Sequence, residues 1–342
     1  MDTAAALIGL CTLAGPSGFE ERVAKHVQKL LEPHMDETWI DMMGNVIGVR
    51  RCGKENAKKL LLDAHIDEIG FIITGVEEGF LRFSKLGGLD SRVLPSSCVT
   101  VLSDPPIFGV IGVLPPHVLK SEDKEKPINI EDSFIDIGVS QEDAVMAVPL
   151  GTAAVFAQRT RMLGNQYVSG KALDDRAGFI SILNALEMLG QEKLDIDLYV
   201  MASVQEEVGV RGAAPGVFDI APDWGIIVDV GHAKTPDSKP FEAPLTIGGG
   251  VSICRGPNMD KAFTEKVIQL AKERNIKHQI EVEPGGDSGT NARAIQVSCG
   301  GVATVLLSIP MKYMHTPCEM VSLEDINSTA QLIYETVLAI AD

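Results

Sequence analysis

The chain has 342 residues, enough for one large or two medium domains, and 45% of them are hydrophobic, so a sizeable core is available. Its net charge of −17 argues against nucleic-acid and anionic-membrane partners, both of which need a basic face. The six cysteines (Cys11, Cys52, Cys98, Cys254, Cys299, Cys318) form no C-x-x-C pair and are expected as reduced thiols in a cytoplasmic protein. No basic leader region opens the chain. The apolar run at residues 4–14 is too short to span a bilayer, and no other stretch reaches that length.

Ser17-Gly18-Phe19-Glu20 has the spacing of a capping box and predicts a helix carrying Val23, Val27, Leu30 and Leu31, ending before Pro33. Strands are expected at 37–40 and 46–51. The next strand, Leu60-Leu61-Leu62, runs into Asp63-Ala64-His65-Ile66-Asp67-Glu68. His65 therefore stands at the end of a buried strand, where open α/β sheets place their ligands. Asp67, two residues on, is placed to orient a metal-bound imidazole. The plain alternative is a hydrogen-bonded histidine at a strand end.

From about residue 71 to 160 the texture changes to short β-rich segments with many Gly, Pro and Val (80–83, 99–102, 108–114, 144–149, 153–156), with one short helix near 141–145. This spacing suggests a small barrel or sandwich, inserted at 69–165. Residues 120–127 read as a charged, apolar-poor loop.

Regular alternation resumes at Tyr167. Leu173-Asp174-Asp175-Arg176 opens a helix with Ile180, Leu183, Leu186 and Leu189 on one face. One Asp serves as a cap; two are more than capping requires, and which of them is functional stays open. The strand 196–204 stops at Glu206-Glu207, followed by Gly209. Acids at the end of a buried strand need something positive to offset their desolvation, and no basic residue follows before Arg211. One of the pair would then bind a divalent metal while the other handles a proton. A solvated acidic strand end is the alternative. Asp229 interrupts the buried strand 225–231 and needs a partner. Gly248-Gly249-Gly250 is backbone-permissive and could approach a ligand, but no phosphate-loop pattern follows it. A helix at 260–275, a strand at 280–282, a tight polar loop at 285–290 and a buried strand at 302–310 come next. His315 lies just past that last strand. Ser322 to Asp325 repeats the capping-box spacing and opens the final helix, whose face of Leu323, Ile326, Ala330, Ile333, Val337 and Ile340 is core.

The predicted fold is therefore α/β: a mixed sheet containing parallel strands, flanked by helices, with an inserted small β-barrel. In such a sheet His65, Asp174 or Asp175, Glu206-Glu207, Asp229 and His315 gather at one edge. Two histidines and three or four carboxylates form the donor set of a dinuclear divalent site, and with no Cys among them zinc, cobalt and manganese all suit it. Such a pair of cations activates a shared water for attack on a carbonyl, with one carboxylate outside the first shell carrying the proton.

Taken in order, G-P-S-G-F-E (15–20), A-H-I-D-E-I-G-F (64–71), A-L-D-D-R-A-G (172–178), Q-E-E-V-G-x-R-G-A (205–213), V-D-V (228–230) and Y-M-H-T-P (313–317) resemble one family over essentially the full length. It is that of the dinuclear metallo-aminopeptidases that includes glutamyl aminopeptidase and the tetrahedral (TET) deblocking aminopeptidases, with relatives sometimes labelled endoglucanase or cellulase. The resemblance implies a phosphorylase/hydrolase-like metallopeptidase domain at 1–68 and 166–342, with 69–165 as a dimerisation barrel. It implies two divalent ions per subunit, zinc first among them. His65 and Asp229 would each hold one metal, Asp174 would bridge, and Glu207 and His315 would complete the shell. Glu206 would be the general base and Asp67 the partner of His65. Peptides would be the substrates, and dimers would build a hollow dodecamer. The chain departs from the family pattern at 285–291 and at Met311-Lys312. The rival readings are a metallo-carboxypeptidase or amino-acid deacylase, disfavoured by where the insert falls, and an endoglucanase. The latter needs two carboxylates across a sugar ring, no metals and usually aromatic platforms, and this chain is 5% aromatic.

Overall fold

The computed structural model describes residues 1–114, 117–118, 129–239, 244–285 and 288–341; the expected charged loop at 120–127 and positions 286–287 of the polar loop lie outside the described residues. Two helices, α1 (Thr3–Cys11) and α2 (Glu21–Leu31), precede the antiparallel pair β1 (Glu37–Ile40) and β2 (Val46–Arg50) and the buried strand β3 (Lys59–His65). Next come β4 (Gly70–Glu77), β5 (Phe80–Leu86), β6 (Cys98–Val101), β7 (Ile107–Gly112), β8 (Phe134–Asp136), α3 (Gln141–Ala147) and β9 (Ala153–Phe156). The six strands close into a barrel in the order β4-β5-β8-β7-β6-β9. Its centre is aromatic: Phe71 meets Phe83 and Phe156 edge-on, each at 5.1 Å between centroids. The β segment expected at 144–149 is mostly helix, because the Ser140 hydroxyl accepts from the Asp143 N–H and caps α3.

After β10 (Arg161–Leu163) and β11 (Tyr167–Gly170), helices and strands alternate: α4 (Leu173–Leu189), β12 (Asp197–Ser203), α5 (Ala213–Ile220), β13 (Trp224–His232), β14 (Val251–Arg255), α6 (Lys261–Glu273), β15 (His278–Val282), α7 (Ala292–Ile295), β16 (Ala303–Lys312), β17 (Glu319–Ser322) and α8 (Leu323–Ala341). They build one mixed sheet in the order β1-β2-β12-β3-β13-β16-β17-β11-β10, with β14 paired to both β15 and β16. At its centre β12, β3, β13 and β16 run parallel, so their C-terminal ends share one edge. Alternation along β3 sends Leu60 and Leu62 into the core under α1, α2, α4, α6 and α8, and Leu61 into a second core under α5 and α7. Each such leucine contributes about 2 kcal/mol.

Two local expectations fail for the same reason. The capping box at Ser17 does not form: Glu20 precedes α2 with no side-chain cap bond. Ser17 Oγ instead donates to Asp67 Oδ2 at 2.7 Å, and Glu20 Oε1 accepts from the N–H groups of Gly18 and Gln205 at 2.8 and 3.1 Å. The N–H groups of Gly248 and Gly250 donate to Asp325 at 2.6 and 2.7 Å, tying the loop to α8. Asp325 is thereby drawn away from the second capping box, of which only the Ser322 bond to the Glu324 N–H remains. In each case a buried long-range partner outweighs a local bond that water could supply. No cysteine is in a disulfide. Among the described residues no helix is long and apolar enough to cross a membrane.

Candidate metal centre

The shared edge of the parallel strands collects the acids and histidines. His65 ends β3, Asp229 lies in β13, Glu206-Glu207 follow β12 and His315 follows β16. The start of α4 lies among them. Asp174 and Asp175 both depart from helical geometry and are joined by a cis peptide. Their surroundings differ. Asp175 Oδ1 accepts from the Gly178 N–H at 3.0 Å and caps the regular part of α4. Asp174 turns to the histidines: Oδ1 is 3.0 Å from His65 Nε2 and Oδ2 is 3.4 Å from His315 Nε2. His315 Nε2 also lies 3.3 Å from Glu207 Oε2.

Two groups of donor atoms result, each within 4.8 Å of one another: His65, Asp174 and Asp229, and Asp174, Glu207 and His315. Asp174 belongs to both. Glu206 belongs to neither, yet lines the same cavity of about 620 Å³ as Asp174, Glu207, Asp229 and His315. Its carboxylate makes no hydrogen bond among the described residues. A left-handed turn at Gln205 (φ +55°) and another at His315 (φ +59°) set these side chains at the edge, conformations that non-glycine residues adopt only when their surroundings impose them.

Two further buried carboxylates impose them. Asp67 Oδ1 accepts from the Glu206 N–H at 3.1 Å and Oδ2 from the Glu207 N–H at 3.2 Å, besides Ser17. Its Oδ1 is 3.3 Å from His65 Nδ1, near but not aligned for a full hydrogen bond. Glu319 is the second. It accepts from the N–H groups of Leu173 (2.8 Å), Asp174 (3.3 Å) and His315 (3.2 Å). Behind them Glu68 takes Lys171 Nζ at 2.8 Å and the fully buried Arg176 at 3.4 Å. Arg176 also donates to the carbonyls of Leu10, Leu13 and Ile66, joining the end of α1 to the end of β3. Sequence reasoning singled out Asp67 as a partner of His65 but not as an acceptor for the Glu206 and Glu207 N–H groups, missed Glu319, which has no spacing signal, and read Ser17 and Glu20 as a cap.

The electrostatics show a surplus of acid. Burial, with Asp229 and Glu207 among its neighbours, pushes Glu206 up to about 9; burial and the Asp174 charge push Asp229 up to about 8. Burial also raises Glu207, against the His315 bond. Burial opposes ionisation of Asp174 too, but its bonds to His315 and His65 prevail and hold it below the ordinary range. His315 is raised to about 11 and His65 well above its ordinary value: burial disfavours their charge, and bonds to Asp174 and Glu207, with the Asp67 charge beside His65, override it. Carboxyls that must retain protons to coexist fit divalent cations, whose charge returns them to the ionised form. All-O and N donors with no thiolate suit zinc, cobalt or manganese alike.

The sequence matches the M42 glutamyl aminopeptidase family over residues 44–332. The chain belongs to that family. Membership makes it a metal-dependent aminopeptidase, a peptidase hydrolase. It is 34% identical over 324 residues to the lysyl aminopeptidase of Pyrococcus furiosus, covering 93% of this chain and 92% of that one. The structure of an aminopeptidase from the archaeon Desulfurococcus kamchatkensis superposes with a TM-score of 0.91 at 34% identity, over 98% of this chain and 94% of that one. The TET1 peptidase of Pyrococcus horikoshii, which can assemble into a tetrahedron or a large octahedral shell, gives 0.86 at 31% identity, over 98% and 99%. Of the two departures from the family pattern, Ser288, Gly289 and Thr290 line the cavity, whereas Met311 is core.

Proposed function

We propose that this M42 aminopeptidase uses two divalent cations, zinc in the first instance, with Asp174 bridging, His65 and Asp229 each holding one and Glu207 and His315 completing the shell. The observation that carries this is the single carboxylate of Asp174 standing in both donor groups. Cations there lower the pKa of a shared water and stabilise negative charge developing on the scissile carbonyl. Glu206, in the cavity but in neither group, accepts the proton of the attacking water and returns it to the leaving amine. Asp67 fixes the backbone of Glu206 and Glu207, so ligand and base keep their relative positions, and it holds His65 with Nε2 toward the metal side.

Residues 69–165 act as the dimerisation barrel, and dimers build a closed dodecamer. In favour, the barrel region exposes large apolar side chains on β7 (Phe108, Val110) and at and just after α3 (Val145, Met146, Leu150), the kind of surface that an interface covers. A cytoplasmic setting accords with the unpaired cysteines. Dialysis against a chelator should abolish release of N-terminal residues from aminoacyl-p-nitroanilides, and zinc, cobalt or manganese should restore it. N-blocked peptides and cellulose should stay uncleaved; chelator-resistant cellulose cleavage would sink the reading. Glu206→Gln should bind two metals per subunit and lose at least ~10³-fold in kcat, and near-normal turnover would show the base to be assigned wrongly.

A further inference from the structure

The cavity extends beyond the donor groups to a wall made by β14, β15 and β16, where Cys254, Glu281, Leu306 and Ser308 line it. Ser308 pairs with Asp229 across β13 and β16, so this wall starts one strand from a candidate metal ligand. Ser308 Oγ donates to Glu281 Oε1 at 2.5 Å, which draws the Glu281 side chain from β15 across β14 toward the site. Its other oxygen stands beside β13. A Cβ placed on Gly231 would lie 3.3 Å from Glu281 Oε2, 3.1 Å from Ser308 Cβ and 2.6 Å from Leu245 Cδ1. The absent side chain at 231 is what keeps this recess open.

Glu281 is half-buried and makes no ion pair among the described residues. The charged neighbour that bears on it is another acid, Glu283, which also lines the cavity. Arg293, on the same cavity, has a partner of its own. A carboxylate in this position is poorly solvated and gains most from a cation that enters the cavity and desolvates with it. A lysyl or arginyl side chain has the apolar stem to pass Leu306 and the charged head to meet Glu281. A leucyl side chain would leave Glu281 without that partner. A glutamyl side chain would bring a third carboxylate to Glu281 and Glu283.

We infer that Glu281, positioned by Ser308 and given room by Gly231, selects substrates with a basic N-terminal residue by receiving its side-chain cation. The inference rests on the aminopeptidase reading of the adjoining donor groups. The metal-loaded protein is assayed with Lys-, Arg-, Leu- and Glu-p-nitroanilide. The wild-type kcat/KM ratio of Lys to Leu should exceed ten, and Glu281→Gln should lower that ratio at least tenfold. Glu281→Lys should turn the preference toward Glu. A wild type that prefers Leu or Glu, or a ratio in Glu281→Gln within twofold of wild type, overturns the inference. If Glu281→Gln fails to fold, Ser308→Ala should shift the same ratio in the same direction. Binding provides an arm independent of turnover. L-lysine should raise the melting temperature of the wild type more than L-norleucine does, and Glu281→Gln should erase the difference. Equal shifts in the wild type overturn the inference. Failure of the metal-loaded wild type to release any N-terminal residue strikes the aminopeptidase reading instead, and the lysine-against-norleucine comparison then still decides the role of Glu281.

Discussion

Asp67→Asn tests the frame of the site with almost no change of shape. Asp67 receives only donors: the N–H groups of Glu206 and Glu207 and the Ser17 hydroxyl, with His65 Nδ1 beside it. An asparagine keeps one accepting oxygen and turns an NH2 toward either Glu206 N and His65 or Glu207 N and Ser17. Losing a hydrogen bond to a charged acceptor costs ~1.5–3 kcal/mol, and the donor left buried adds to it, so ~3 kcal/mol is expected in the metal-free protein. At roughly 2.1 cal/mol/K per residue the 342-residue chain unfolds with an entropy of about 0.7 kcal/mol/K, so this lowers Tm by about 4 °C. The effect on metal should be larger in proportion. An amide NH2 facing His65 Nδ1 favours the tautomer with its proton on Nε2, the nitrogen that faces Asp174 at 3.0 Å. Metal affinity should fall ~10–100-fold. Calorimetry of the chelated protein and a competition titration with a chromophoric chelator measure the two effects. A Tm within 1 °C of wild type together with an affinity within about threefold would refute the framing role of Asp67.

Glu319→Gln should weaken metal binding about tenfold and stability by ~2 kcal/mol, because one of its two oxygens, which between them hold Leu173, Asp174 and His315, becomes a donor facing donors; unchanged affinity by the same titration would refute this. Asp325→Asn should change how stability depends on pH. Burial raises Asp325 from its ordinary 3.8 to about 6, so the folded state holds its proton more tightly than the unfolded one. Its contribution is therefore greatest below pH ~4 and is lost as pH rises through ~6, by at most about 3 kcal/mol. Denaturant melts of chelated wild type and variant at pH 4 and pH 7 should show that extra loss in the wild type alone; parallel pH dependence counts against it.

The strand ends were legible because burial and charge conflict there. Leu60 to Leu62, then His65; 196–204, then Glu206 and Glu207; the apolar run around Asp229: each is a strand that the hydrophobic effect draws inward and a polar group that cannot follow alone. The sheet satisfies both demands by ending its parallel strands at one edge. What was not legible is what holds that edge. Ser17 and Glu20 have capping-box spacing, and nothing in that local pattern announces that their oxygens serve Asp67 and Gln205. Glu319 is a lone acid whose three partners lie at 173, 174 and 315. Asp174 and Asp175 are adjacent and identical in type, so only the fold could divide them.

That division suggests a general way to sort the buried acids of this edge. Asp67 and Glu319 have their oxygens filled by N–H and O–H donors of the chain, and Asp175 has one oxygen filled by the Gly178 N–H. Asp174 faces only imidazoles, Asp229 accepts one bond from the next N–H, and Glu206 accepts none. A carboxylate saturated by the chain has its work within the fold; one left open toward other acids is stable only with a proton or a cation. By that criterion Asp67 and Glu319 work within the fold, while Asp174, Asp175, Glu206, Glu207 and Asp229 each keep an open oxygen; of these, Asp174, Glu207 and Asp229 stand in the donor groups and Glu206 lines their cavity, whereas Asp175 does neither. The same criterion singles out Glu281, which accepts one bond from Ser308, has the Ser252 hydroxyl near it, meets no cation among the described residues and lines the cavity.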